Sequence, residues 1–215
     1  MNVVQYSLVP FIFLVGCEAS LVGNGDVADD VRMIPSFTGV ATWGAISTEV
    51  RASKTSRVVV RTDSNLSKFI EVDVVDGVLE VYGQFGVALE PTEMSLLVEV
   101  ERLTEISALG WGGMVVDGVA SDVLKATIGG EAPVRIQGTA NTLELFTAET
   151  AEFDAQRLLT SDVEMEVDGS GDVKVYATRS VSGVVSGDGD VYILGPEPEV
   201  DLRLIGNGTL YAPGE

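Results

Sequence analysis

Val167-Asp168-Gly169-Ser170-Gly171-Asp172-Val173 and Val185-Ser186-Gly187-Asp188-Gly189-Asp190-Val191 are one motif written twice, 18 residues apart. A third copy, Leu204-Ile205-Gly206-Asn207-Gly208-Thr209-Leu210, follows 19 residues later. Upstream, Gly129 to Val134 and Ala148 to Phe153 occupy equivalent places, the latter without a glycine. Self-similarity at such a period is the signature of a repeat architecture. Apolar residues alternate before each turn, as in Leu124/Ala126/Ile128, Leu143/Leu145/Thr147, Val163/Met165/Val167 and Val181/Gly183/Val185. They alternate again after it, as in Val134/Ile136, Phe153/Ala155, Val173/Val175 and Val191/Ile193. A period of two places one set of side chains on one face of a strand. Matched columns across successive units therefore predict an all-β fold, a single-stranded parallel β-helix (β-solenoid) with coils of about 18–20 residues. The Gly-x-Gly turns are not dinucleotide fingerprints, because a third glycine is missing and strands follow them.

Residues 36–120 are less regular. Val58 to Thr62, Phe69 to Val75, Val78 to Tyr82 and Ser95 to Val100 read as strands, and Asp76-Gly77 reads as a tight hairpin turn. Residues 103–116, with Gly110-Trp111-Gly112-Gly113, are expected to form the first coil of the regular series. No internal linker is apparent, so residues 36–215 are expected to be one domain.

Composition excludes several activities. The chain has 215 residues, 33 Asp+Glu against 13 Lys+Arg, a formal net charge of −20, one cysteine and no histidine. Phosphate binding needs a basic surface, so nucleic acid is not an expected partner. Without histidine there is no Ser-His-Asp or Cys-His machinery. The apolar fraction of 46% still supports a packed core.

Residues 1–16 carry no charge, and Leu8 to Gly16 is nearly all apolar. That run is shorter than the roughly 20 residues of a membrane-spanning helix and fits a secretory signal. It ends at Leu14-Val15-Gly16-Cys17, which resembles a bacterial lipobox; an ordinary signal peptide with an incidental cysteine is the alternative. The expectation is a lipoprotein signal over 1–16, lipidation at Cys17 and a flexible tether over 17–35 rich in Gly, Asn and Asp. Glu18 follows the cysteine, and by resemblance to lipoprotein sorting rules it favours the outer membrane.

Several elements resemble the putative auto-transporter adhesin, head GIN domain family of bacterial envelope proteins. They are Phe37-Thr38-Gly39-Val40, Val74-Val75-Asp76-Gly77-Val78-Leu79-Glu80-Val81 and the two Gly-x-Gly-Asp turns quoted first. The resemblance spans roughly residues 32–213. It implies a right-handed β-helix and an envelope location, and it carries no defined catalytic residues. The turn at Ala148-Glu149-Thr150-Ala151-Glu152 and the Gly110-Trp111-Gly112 turn depart from the pattern.

Three sets of residues are candidates for function. The turns hold Asp168, Asp172, Asp188 and Asp190, which would stack about 4.8 Å apart. Such a ridge could take a hard cation such as Ca²⁺, or be a solvated acidic edge with no cofactor. Tyr176, Tyr192 and Tyr211 point outward and could stack a glycan or grip an envelope protein. The outward basic residues Lys125, Arg135, Lys174 and Arg203 show no clustering with aromatics, which argues against a polysaccharide-acting β-helix enzyme. Trp43 and Trp111 are expected to be packing residues. Pro213 and the charged end suggest a blunted terminal edge, which disfavours a self-assembling scaffold. The sequence thus reads as a non-catalytic, adhesin-like or structural module, lipid-anchored at the cell envelope.

Overall fold

Strand follows strand from Ala19 to Tyr211 in a computed structural model that describes residues 19–214. The leader and Cys17 lie outside the described residues. The first strands are β1 (Ala19–Val22), β2 (Val27–Arg32), β3 (Gly39–Gly44), β4 (Ser47–Ala52) and β5 (Arg57–Asp63). A 3-10 turn, Ser67–Phe69, leads to β6 (Ile70–Val75), β7 (Val78–Gly83), β8 (Val87–Glu90), β9 (Met94–Val100) and β10 (Glu105–Gly110). Long bent strands follow: β11 (Met114–Gly130), β12 (Val134–Glu149), β13 (Phe153–Gly169) and β14 (Val173–Val185). The chain closes with β15 (Val191–Leu194), β16 (Glu199–Leu204) and β17 (Leu210–Tyr211).

The predicted columns are the register of a parallel stack. Leu124 pairs with Leu143, Leu143 with Val163, and Val163 with Val181. On the other side of the turn, Val134 pairs with Phe153, Phe153 with Val173, and Val173 with Val191. All of these are buried, as are Ile136, Ala155, Met165 and Val175. Each coil is one long strand bent at a bulge, such as that between Asp117 and Val119, and closed by a short turn. The fold is the β-solenoid that the period predicts, and its inward columns form one continuous core.

The stack begins earlier than residue 103. β3 pairs with β10 and β4 with β11, so residues 39–52 form a coil above the regular series. β7 pairs with β3 and β9 with β4, which sets a further coil, residues 78–100, on top of that one. Space and sequence run in different orders here, and a constant period cannot reveal that. Three antiparallel pairings finish this end: β6 on β7, β5 on β9 and β2 on β5. The Asp76-Gly77 hairpin forms as expected, with Val75 opposite Val78 and both turn residues at positive φ (51° and 83°).

The tether expected over 17–35 is replaced, where described, by β1 and β2. β1 pairs in parallel with β8, and β2 lies antiparallel to β5. Buried Asp63 holds the segment between them: its carboxylate accepts from the Gly25 N–H at 2.6 Å and from the Thr92 N–H at 2.7 Å, with Thr92 Oγ1 as a third donor. These bonds hold the Asp63 carboxyl below the usual carboxylate range, chiefly through the Thr92 hydroxyl.

Candidate ligand-binding face

The strand that follows each turn points alternate residues outward, and parallel register stacks them. Val115 lies beside Arg135, Arg135 beside Asp154, Asp154 beside Lys174, Lys174 beside Tyr192 and Tyr192 beside Tyr211. Glu49 and Leu97 continue this column toward the N-terminal end. The Tyr192 and Tyr211 rings stack with centroids 4.7 Å apart and planes within 6°. Lys174 Nζ stands 5.6 Å from the Tyr192 centroid, within cation–π range. Arg135 Nε approaches Asp154 Oδ2 at 3.4 Å.

Two depressions run along this column and share Lys174. One, about 690 Å³, is lined by Glu49, Arg61, Leu97, Val115, Arg135 and Asp154 among others. The other, about 530 Å³, is lined by Gln156, Tyr192, Leu194, Tyr211 and Pro213. Burial, and then the charge of nearby Asp190, pushes the Tyr192 phenol above its usual value, so it stays a neutral hydroxyl. Its O–H donates toward Asp190 Oδ2 at 3.4 Å.

The structure joins two of the three sequence-chosen tyrosines. Tyr176 pairs with Leu194, two residues along the strand from Lys174, and stays outside the stack. The expectation that no basic residue clusters with aromatics fails at Lys174. Its place in the Tyr192 column follows from the 18-residue step between Val173 and Val191, so the register alone could have shown it.

The acidic turns stack without converging. The Asp190 N–H donates to Asp172 Oδ1 at 3.1 Å, and the Thr209 N–H donates to Asp190 Oδ1 at 2.9 Å. Asp188 Oδ1 accepts from the Asn207 backbone N–H and side-chain amide at 3.1 and 2.9 Å. Asp168 is exposed. Among the described residues no three acidic, His or Cys side chains are grouped as metal ligands. The geometry uses Asp172, Asp188 and Asp190 as caps for backbone N–H groups one coil further on.

Sequence reasoning missed a second surface. Trp111, expected to pack, is 68% exposed, because the Trp111 and Gly112 N–H groups both donate to the Gly44 carbonyl and the ring is left outside. It lines an apolar groove of about 660 Å³ together with Trp43, Tyr82, Phe85, Leu89 and Met94. Trp43 meets Tyr82 edge-to-face at 5.9 Å. Among the described residues no helix is long and apolar enough to cross a membrane.

Fold and surface together define a parallel β-solenoid with a shallow, aromatic-ended strand face. Comparison with known proteins gives the family: residues 36–196 match the model described as "Putative auto-transporter adhesin, head GIN domain", and the chain belongs to that family. Solved structures share the fold. A putative adhesin from Bacteroides fragilis is 19% identical with a TM-score of 0.74, covering 89% of this chain and 99% of that one. A putative adhesin from Parabacteroides merdae is 19% identical with a TM-score of 0.58, covering 90% and 98%. A putative lipid binding protein from Parabacteroides distasonis is 18% identical with a TM-score of 0.59, covering 90% and 99%. No curated protein matches the chain.

Proposed function

We propose that this chain is a non-catalytic glycan-binding module, held at the bacterial outer membrane by a lipid on Cys17. The observation that carries the reading is the stacked Tyr192–Tyr211 pair with Lys174, Asp154 and Arg135 in register beside it. Flat aromatic faces take the apolar side of a sugar ring, and the neighbouring charged groups hydrogen-bond its hydroxyls. The net charge of −20 repels polyanions, so the fitting ligand is a neutral oligosaccharide. The family description, an adhesin head, supports a binding role over a catalytic one. The test is a glycan array probed with the full chain in detergent. Binding to neutral glycans is expected; binding only to uronic or sulfated glycans would overturn the assignment.

Backbone N–H groups already bonded to Asp172, Asp188 and Asp190 support a module that takes no cation in its turns. Thermal melts in Ca²⁺ and in EDTA are expected to share a midpoint. A clear rise with Ca²⁺ would assign the turns a metal.

A further inference from the structure

The apolar groove lies where the chain enters the fold. β1 begins at Ala19, which pairs with Val87, and Val87 is part of the groove wall. Cys17 precedes Ala19 by two residues, a reach of at most about 7 Å. Phe85, two residues before Val87, is 97% exposed, and Trp111 on the same groove is 68% exposed. Large aromatics left in water in this way mark a contact surface. Among the described residues, Glu80 is the only charged one in the groove wall, on a chain that carries −20. This is therefore a sparsely charged, aromatic-rimmed patch close in sequence to the uncharged leader expected over residues 1–16, or to the lipid that replaces it.

We propose that the rim formed by Phe85 and Trp111 seats in the headgroup region of the bilayer to which Cys17 is anchored. The inference rests on the lipid-anchored reading above. Trp favours that depth, where one side is apolar and the other wet, and the apolar ring of Phe enters the headgroup–acyl boundary. An acyl anchor gives the patch a high local membrane concentration, so a small apolar contact suffices to fix orientation. The consequence is a defined posture. Four coil steps separate the coil that carries Trp111 from Tyr192 and five separate it from Tyr211, about 19–24 Å at about 4.8 Å per step. Docking of the N-terminal end thus holds the Tyr192–Tyr211 pair clear of the membrane, facing its ligand.

The test uses the full chain expressed in a bacterium that processes lipoproteins, purified in detergent and reconstituted in phosphatidylcholine vesicles. Phe85→Cys and Asn207→Cys are labelled in parallel with a polarity-sensitive fluorophore. Both positions are exposed, so folding is not at issue. The label at 85 is expected to shift to the blue and to lose intensity when spin-labelled phosphatidylcholine is included, while the label at 207 does neither. Flotation of the protein with both labels unquenched, or quenched alike, overturns the docking and leaves the anchor intact. Failure to float, with Cys17 also taking label, overturns the anchor and the docking with it.

Discussion

Gly187 has no room for a side chain: a Cβ there would stand 1.6 Å from the Gly169 carbonyl oxygen one coil up. Gly169 itself faces Glu149 in the same way, and Gly206 faces Gly187. The first glycine of each Gly-x-Gly turn therefore exists for close backbone approach between coils. Gly187→Ala must push two coils apart and is expected to cost about 1–3 kcal/mol, read as a lower denaturation midpoint. Glu149 is the exception in this column. It adopts φ 62° without being glycine, which is how a turn lacking the motif still fits. Glu149→Gly relieves a left-handed backbone and is expected to gain about 0.5–1 kcal/mol after the entropy cost of glycine. A loss of stability would show that the Glu149 side chain has a role of its own.

At the scale of elements, Asp63 joins the N-terminal strands to the stack. Its carboxyl is held below its ordinary value in the fold, so on acidification the unfolded chain takes up the proton first. The stabilisation is complete above the unfolded value of about 3.9 and is lost as pH falls through the lower folded value. Asp63→Asn puts an amide where three donors converge, so it is expected to melt earlier at neutral pH. Its gap from the parent should close as pH drops below about 4. A gap independent of pH would mean that the carboxylate charge is not what matters. The strands Asp63 secures were also the least visible in the sequence. β2 reads Val-Ala-Asp-Asp-Val-Arg, exposes half of its side chains and fully buries none, so it carries no apolar period. Tertiary contacts hold it instead: Arg61 pairs with Asp29 at 2.8 Å, and Arg32 donates to the Ser67 carbonyl at 2.7 Å. By contrast, the core columns between Leu124 and Ile193 announced themselves, because most inward positions there are matched by another one coil away.

The whole molecule is a one-dimensional stack, and its two ends differ. One end is closed by antiparallel strands and bears the aromatic groove; the other thins to the two-residue β17 and bears the tyrosine pair. The columns, and with them Tyr192 above Tyr211, were legible because the repeat fixes register. The groove was not, since Trp43, Phe85 and Trp111 come from coils stacked out of sequence order. The central claim is that the Tyr192–Tyr211 face binds a neutral glycan, and calorimetry with a glycan found on the array tests it most directly. The variant carrying both Tyr192→Ala and Tyr211→Ala should lose that binding and keep a melting midpoint near the parent's, because Tyr211 is 47% exposed and Tyr192 half-buried. Undiminished affinity in a folded double variant would contradict the account.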